Sequence, residues 1–321
     1  MKKGKKGFKK SWIRLLFGLL ALVFVLVILF RFAELKEIAF LLKKVSYGWL
    51  LIAIALQFVF FAILAFLYKL ILAEKKMSFF VLFRTVIAML FVDYALPSFS
   101  ASGCVLLYHV SRKKARKEKS ALLIGLNVFL NLFFLLLILI LGSLYLLKKS
   151  TRWAFSITFF SILLFLLCRI VLTERGRAHF KAVLSFLLQK WPKAKKRVAS
   201  ALKNFYEAKR GVTKKKFLAI FGITFLSYVF RISVICAIFL SFGVFVNPLT
   251  IAVGFAIAMV ISTLSYIRIG VYEAGMTGAY SMLGIEYNLA LTTTLLYRAV
   301  SFWLPFFLGF LLFRTLVKRN S

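Results

Sequence analysis

The feature that most constrains this chain is a series of eight long apolar stretches. A transmembrane helix needs about 20 apolar residues to cross a hydrocarbon core about 30 Å thick. The chain is 63% hydrophobic, against roughly 45–50% in soluble domains. Since the backbone in lipid must satisfy its own hydrogen bonds and no strand-like alternation of a barrel is visible, the stretches predict an all-α polytopic membrane protein. They run over 12–33, 49–73, 77–95, 120–147, 153–172, 217–243, 247–267 and 287–313.

Two shorter segments, 96–110 and 268–284, lie beside full spans and contain polar or small residues. Basic loops of multispan proteins face the cytoplasm. With the N-terminus inside, the run "SRKKARKEKS" at 111–120 reaches the cytoplasm only if 96–110 crosses back. The basic C-terminus reaches the cytoplasm only if 268–284 also crosses the membrane. The sequence therefore predicts eight full transmembrane helices plus two broken or re-entrant segments, with both termini on the cytoplasmic side of the inner (cell) membrane.

The basic clusters divide the chain into one membrane domain with flanking tails. Residues 1–11 form a basic cytoplasmic N-terminus ahead of a retained first span, because no small-x-small cleavage site follows it. The transmembrane domain covers 12–316 and carries a cytoplasmic basic insertion at 173–216, and 317–321 form a tail. Two apolar stripes within the insertion predict two helices on the inner membrane surface that bind anionic lipids. A solvated connector between two halves is the alternative.

The charge balance excludes several classes of function. The 45 lysines and arginines outnumber the 9 acidic residues, but they lie in short clusters between apolar stretches, which is typical of a membrane surface partner and not of a nucleic acid. The three cysteines are far apart in apolar surroundings, and only two histidines are present. The sequence therefore predicts no nucleic-acid partner, no metal site and no cofactor.

The two short segments resemble each other. One begins "ALPSFSASG" at 95–103, with Pro97 and Gly103, and the other begins "TLSYIRIG" at 263–270, with Gly270. The charge-based topology starts the first segment outside and the second inside. Paired discontinuous helices of opposite orientation form an inverted repeat, whose exposed helix ends meet near the bilayer midplane as a ligand site.

Several charged residues lie within the predicted spans. An ionised side chain at the bilayer centre costs about 2.5–3.5 kcal/mol on insertion scales, so such residues pair or line a wet cavity. In the C-terminal half these are Arg231, Arg268, Glu273 and Arg298. One hypothesis is a structural ion pair that locks the broken helix to its neighbours. The other is a cationic cavity for an anionic head group, because a guanidinium binds phosphate through two hydrogen bonds.

The stretch "LSYIRIGVYEAGMTGAYSMLGIEYNLALTTTLLYRAVSFWLPFFLG" at 264–309 resembles the second signature of the lysylphosphatidylglycerol synthase transmembrane, or flippase-like, family. "LPSFSASG" at 96–103 is similar to the first signature. The form "RIGVYEAG" is nearest to the branch associated with hopanoid and other polyisoprenoid lipids. The chain departs from the family's pattern at Cys104, Leu107 and Tyr266. The positions that match the second signature are Gly270, Glu273, Leu283, Gly284, Arg298 and Gly309.

The resemblance implies a domain that moves lipids or lipid-linked groups between leaflets. Some members carry a soluble aminoacyl-transferase domain, which we expect this chain to lack. The expected substrate-binding residues are Glu273, Arg298, Arg268, Gly270, Arg231, Pro97 and Gly103. Two alternatives stay open, a membrane scaffold that recruits partners or anionic lipids through its basic helices, and a membrane-embedded lipid transferase. Because no nucleophile with a base and no carboxylate pair is visible, we expect no enzymatic activity.

Overall fold

A computed structural model of the chain describes residues 43–72, 78–95, 130–142, 144, 213–264 and 270–318. Contacts divide the chain into Met1–Val45, of which only residues 43–45 are described, and Ser46–Ser321, which holds every element below. The predicted spans 12–33 and 153–172, the segment 96–110 and most of the insertion 173–216 lie outside the described residues. So do three predicted site residues, Pro97, Gly103 and Arg268.

Within these ranges the chain forms helices and turns and no strand, as an all-α membrane protein should. Three helical runs are long and apolar enough to cross a membrane, Tyr47–Ile71, Lys214–Ser241 and Tyr287–Phe313. They confirm the predicted spans 49–73, 217–243 and 287–313. The helices are α1 (Tyr47–Leu72), α2 (Phe79–Ala95), α3 (Leu130–Gly142), α4 (Lys214–Ser241), α5 (Pro248–Leu264), α6 (Val271–Met282), α7 (Tyr287–Arg298) and α8 (Leu304–Lys318).

The frame of the bundle is the antiparallel pair of α1 and α4. At one end the Ser46 N–H donates to the Ser241 carbonyl at 2.8 Å, and at the other Lys216 Nζ donates to the Ile71 carbonyl at 3.3 Å. The helices therefore run side by side for their whole length, and α4 alone, with 28 residues, is about 42 Å long at 1.5 Å per residue. The lengths of the shorter helices are compared with this length below.

Helices α5 and α6 form a short antiparallel hairpin. The Tyr280 hydroxyl, near the end of α6, donates to the Ile251 carbonyl near the start of α5 at 3.2 Å. Gly254 faces the Tyr280 ring, and Gly275 faces Ile261, so the two glycines let the helices approach closely. With 17 and 12 residues, the helices are about 26 Å and about 18 Å long, shorter than the hydrocarbon core. The predicted full span 247–267 is therefore the first half of this hairpin.

A tight turn reverses the chain again between α6 and α7. Gly284 has a φ of 90°, a left-handed conformation that favours glycine, and the Glu286 carboxylate caps α7 by accepting from the N–H groups of Asn288 and Leu289 at 2.8 and 3.0 Å. The start of α6 consequently returns to the level of Arg298 at the end of α7. Arg298 lies near the middle of the 27-residue run Tyr287–Phe313. The start of α6 at Gly270, called the hairpin tip below, therefore lies near the middle of this span.

The long C-terminal helix is interrupted by one π-helical turn, Ala299–Trp303, between α7 and α8. Pro305 follows two residues later and has no N–H to donate to the carbonyl four residues before it, that of Ser301. Proline in a helix interior forces such an adjustment, and π-turns are frequent at functional sites. The turn directly follows Arg298. It contains Ser301, which lines the cavity described below, and Phe302, whose ring contacts the Arg298 guanidinium.

Helix α8 packs against α2 through Gly309. A Cβ at this position would lie 2.5 Å from the Ile87 carbonyl oxygen and 2.7 Å from Phe91 Cβ. The Phe91 ring also contacts the rings of Phe306 and Phe310, at centroid distances of 5.1 and 5.5 Å. In lipid, where apolar burial does not drive association, such close backbone approach supplies the packing energy between helices.

Candidate functional site

A cavity of about 340 Å³ opens inside the bundle where the hairpin tip meets the π-turn. Its volume is at the lower end of small-molecule sites, which are about 300–1,000 Å³. Aromatic rings form much of its wall, and polar groups from six helices and the π-turn converge on it. These groups include Gln57 of α1, Asn131 of α3, Arg231 of α4, Ser262 of α5, Tyr272 of α6, Arg298 of α7 and Ser301 of the π-turn.

The wall on the hairpin side is held by an ion pair between Glu273 and Arg298. Arg298 Nε donates to Glu273 Oε1 at 2.5 Å, and Glu273 Oε2 accepts from the Gly270 N–H at 2.7 Å. One carboxylate therefore caps the first turn of α6 and fixes α7 at the same time. Gly270 has a φ of 86°, which favours glycine because other residues are strained there.

The guanidinium of Arg298 is sandwiched between aromatic rings. Its central carbon lies 4.3 Å from the Phe302 ring centroid and 4.9 Å from the Tyr272 ring centroid. Cation–π contacts stabilise a desolvated guanidinium by about 2 kcal/mol or more. Glu273 accepts from the Nε, and among the described residues the two terminal amino groups have no carboxylate partner. Because the side chain lines the cavity, Arg298 is a candidate ligand for an anion.

A second guanidinium, that of Arg231, lines the cavity from α4. Its central carbon lies 4.6 Å from the Phe60 ring centroid and 5.7 Å from the Tyr228 ring centroid. Within the described part of the chain it has these ring contacts and no carboxylate partner. Two arginines and one glutamate thus leave one positive charge in this part of the cavity wall.

The hydroxyl of Tyr272 is a buried polar group at the cavity. Tyr272 is 5% exposed. Its hydroxyl interacts with that of Tyr297, a second tyrosine of the cavity wall whose ring centroid lies 6.5 Å from that of Tyr272. The two side chains therefore place a pair of neighbouring hydroxyl groups in the wall.

The structure brings four of the seven predicted site residues to one place. Glu273, Arg298 and Gly270 are bonded to each other, and Arg231 reaches the same cavity from α4. Glu273 and Arg298 form an ion pair, as the first hypothesis for these charges expects. Arg298 also lines the cavity, and binding of an anionic head group there stays a prediction.

Other cavity residues could not be singled out from the sequence. Gln57 and Tyr272 are ordinary residues in apolar stretches, and only their position across the bundle places them in the wall. Ser301 is the exception, because Pro305 within an apolar span is a local signal four residues after it. A proline there predicts a local distortion of the helix over the preceding turn.

A bundle of membrane-spanning helices with a short, deep hairpin and a cationic cavity defines the class: an integral membrane protein with an internal polar site. A family model described as the lysylphosphatidylglycerol synthase TM region matches residues 11–309. The chain belongs to this family.

One curated relative is a protein named "UPF0104 membrane protein" from Methanothermobacter thermautotrophicus. It is 25% identical over 292 residues, which cover 84% of this chain and 85% of the relative. The similarity therefore extends over most of both proteins. No solved structure matches the chain.

Proposed function

We propose that the protein moves a lipid with an anionic head group between the two leaflets of the membrane. The observation that carries this proposal is the cavity at the hairpin tip, lined by Arg231 and Arg298. Arg298 lies near the middle of the span Tyr287–Phe313. A charged head group must pass through this depth, where lipid alone offers it no polar partner.

The cavity has the size for a head group, while the acyl or isoprenoid chains stay in the bilayer. At about 340 Å³ it is at the small end of ligand sites, and it is too small for a whole lipid of two long chains. The phosphate would bind the arginine side chains through charge-assisted hydrogen bonds. The hairpin of α5 and α6, whose helices are short and meet the site at their tip, is the element that would rock to expose it to either side.

The finer features of this proposal follow the sequence motifs. The form "RIGVYEAG" favours an isoprenoid-linked lipid as the cargo, and the basic clusters favour a location in the cell (inner) membrane with cytoplasmic termini. We propose transport without covalent chemistry, so the protein would not be an enzyme. The scaffold alternative depends on the basic insertion at 173–216, most of which lies outside the described residues.

Replacement of Arg231 by glutamine is expected to slow lipid movement about tenfold or more, because a hydrogen bond to a charged group contributes about 1.5–3 kcal/mol. The measurement is the rate at which fluorescent anionic lipid in the inner leaflet of proteoliposomes becomes accessible to dithionite. Arg231 is a better first target than Arg298, because among the described residues it has no carboxylate partner. Its replacement therefore leaves no carboxylate unpaired inside the bundle.

The matched control is Arg84→Gln. Arg84 is an exposed arginine on α2 that does not line the cavity, so this variant should keep the parent's rate. Equal rates for the parent and for folded Arg231→Gln would refute the proposal, as would a parent protein no faster than empty vesicles.

A further inference from the structure

We propose that the interface between α6 and α7 holds a chain of water molecules, which carries protons between one face of the membrane and the Glu273 carboxylate. The proposal depends on buried hydroxyl groups in these two helices and not on the cavity or its cargo, so it goes beyond the function proposed above. The hydroxyl groups, called the hydroxyl seam below, belong to Thr277 and Ser281 of α6 and to Thr293 and Thr294 of α7.

The ion pair sets the register of the two helices. Glu273 of α6 contacts Arg298 of α7, and the helices are antiparallel neighbours joined by a tight turn. Thr277 and Thr294 lie one helical turn from the pair, four residues later in α6 and four residues earlier in α7. Ser281 lies a further turn along the same face of α6, because residues four apart are neighbours on a helix. The hydroxyl seam therefore leads from the ion pair towards the turn.

The hydroxyls of the seam are buried polar groups. Thr277 is 3% exposed, and Thr293 and Thr294 are 0% exposed. Among the described residues no hydrogen-bond partner is found for these three hydroxyls or for that of Ser281. Thr292 is buried as well, but its hydroxyl donates to a carbonyl of its own helix at 2.6 Å. Because an unpaired buried hydroxyl is costly and buried water typically satisfies such groups, the seam is a site for water.

The far end of the seam lies at a face of the membrane. The span Tyr287–Phe313 begins there, and Gly284 and Glu286 in the turn before it are exposed. Helix α7 has 12 residues, so about 18 Å separate its start from Arg298. The hydroxyl seam therefore covers the depth between this face and the ion pair near the middle of the span.

The spacing within the seam matches hydrogen-bonded water. The hydroxyls of Thr277 and Ser281 belong to residues four apart, which is about 6 Å along the helix axis. One water molecule that makes two hydrogen bonds of about 2.8 Å bridges such a separation. Open space adjoins the seam at Gly278, where no described atom lies within 4 Å of the position of a Cβ. Glu273 is also four residues from Thr277, so the same unit, repeated, connects Ser281 with the carboxylate.

A chain of hydroxyl groups and water can pass a proton, because each oxygen can accept one proton and donate another. A hydronium ion at the membrane face gives a proton to the first water of the chain. Each oxygen then accepts a proton from the side of the face and releases its own towards the ion pair. The last O–H bond breaks as a new O–H bond forms on Glu273, whose carboxylate becomes neutral and releases its hold on Arg298.

Glu273 is the group at this end of the seam that can take up a proton. Helix α5, which packs against α6, has no titratable side chain. Across the cavity, Arg231 of α4 lines the same wall as Arg298. Tyrosine and arginine keep their protons near neutral pH, whereas a carboxylate can accept one. The titratable side chains of α6 and α7 besides Glu273 are Tyr272, Tyr280, Tyr287, Tyr297 and Arg298.

A metal cation would bind the seam less well than water. The backbone carbonyls within α6 and α7 are engaged in helical hydrogen bonds, so the seam offers a cation mainly hydroxyl oxygens. The guanidinium of Arg298 also belongs to a residue one turn from Thr294 and repels a second positive charge.

The water chain is tested by solid-state NMR of the full chain in lipid vesicles, with ¹³C-labelled threonine and transfer of magnetisation from water. We expect the buried Thr277 and Thr294 to receive magnetisation about as fast as the exposed Thr213. Thr292, equally buried but bonded within α7, is the internal control and should receive it several-fold more slowly. Transfer to Thr277 and Thr294 no faster than to Thr292 would overturn the proposal. Signals of these two residues that change when choline is replaced by sodium would assign the seam to a metal ion and would also overturn it.

The proton path is tested by the infrared band of the Glu273 carboxylic acid, identified as the band that Glu273→Gln lacks. After an acid pulse to the vesicles, the band should appear about tenfold more slowly in Thr277→Val than in the parent, as a barrier higher by about 1.4 kcal/mol gives. The control Thr292→Val should keep the parent's rate. Equal rates in all three proteins would show that protons reach Glu273 by another route and would contradict the proposal.

If Thr277→Val does not fold, Thr294→Val takes its place, and the comparison of threonines in the parent decides the water chain in either case. Neither measurement involves lipid movement. A protein with a hydrated seam that moves no lipid therefore contradicts the proposed function alone, and one that moves lipid with a dry seam contradicts the water chain alone.

Discussion

The variant Arg298→Gln is expected to destabilise the protein by about 3 kcal/mol, because it leaves the Glu273 carboxylate inside the bundle without its cation. The side chains of Arg298 and Glu273 are 11% and 19% exposed. The expected loss in the free energy of unfolding is therefore at the lower end of the range found when one partner of a buried ion pair is removed. The melting temperature of the purified protein in detergent should fall by roughly 5–10 °C.

A double-mutant cycle separates the pair from its surroundings. Glu273→Gln alone keeps a side chain that can accept a hydrogen bond from the Gly270 N–H. It removes the negative charge that faces the Arg298 guanidinium. The double variant, with both charges removed, should be less destabilised than the sum of the two single variants by about 1 kcal/mol or more. Additive effects would mean that the two charges do not stabilise each other, and would contradict the site described above.

The variant Gly309→Ala is expected to destabilise the packing of α8 on α2 by about 1–3 kcal/mol, as overpacking does. The added methyl group would stand 2.5 Å from the Ile87 carbonyl oxygen, a backbone atom that cannot move aside as a flexible side chain could. Gly309→Val, with a larger side chain, should lower the yield of folded protein as well. The measurement is again the melting temperature, together with the monodisperse fraction in size-exclusion chromatography.

Gly222→Ala is the matched control for this variant. Gly222 lies within α4, and a Cβ there would meet no atom within 4 Å. Alanine in a helix interior is favoured over glycine by roughly 0.5–1 kcal/mol, so the control should leave the melting temperature unchanged or raise it. Melting temperatures that fall equally in both variants would show that α8 and α2 are not in close contact at Gly309.

The sequence predicted the elements whose signal is local. Runs of apolar residues predicted the three helices that can cross a membrane, because length and hydropathy are sufficient for a transmembrane helix. The charges within the spans predicted an ion pair, because an isolated charge at this depth needs a partner and Glu273 is the only acid between Glu207 and Glu286.

The features that depend on distant parts of the chain were not predictable in the same way. The depth of the hairpin tip follows from the lengths of α5 and α6 and from the contact of Tyr280 with Ile251. Hydropathy alone does not distinguish such a hairpin from a pair of full spans. Similarly, the proximity of Gln57 and Arg231 to the tip requires the packing of α1 and α4 against it, and no local pattern in either helix records that packing.

The central claim is that a lipid head group enters the cavity between Arg231 and Arg298. It is tested most directly by photo-crosslinking of the full chain in vesicles with an anionic lipid whose head group carries the photoreactive label. We predict labelled peptides that contain Tyr272 or Arg298, a loss of that labelling in Arg231→Gln, and its retention in Arg84→Gln. Labelling confined to helix ends such as Tyr47 and Thr213, at equal levels in all three proteins, would contradict the claim.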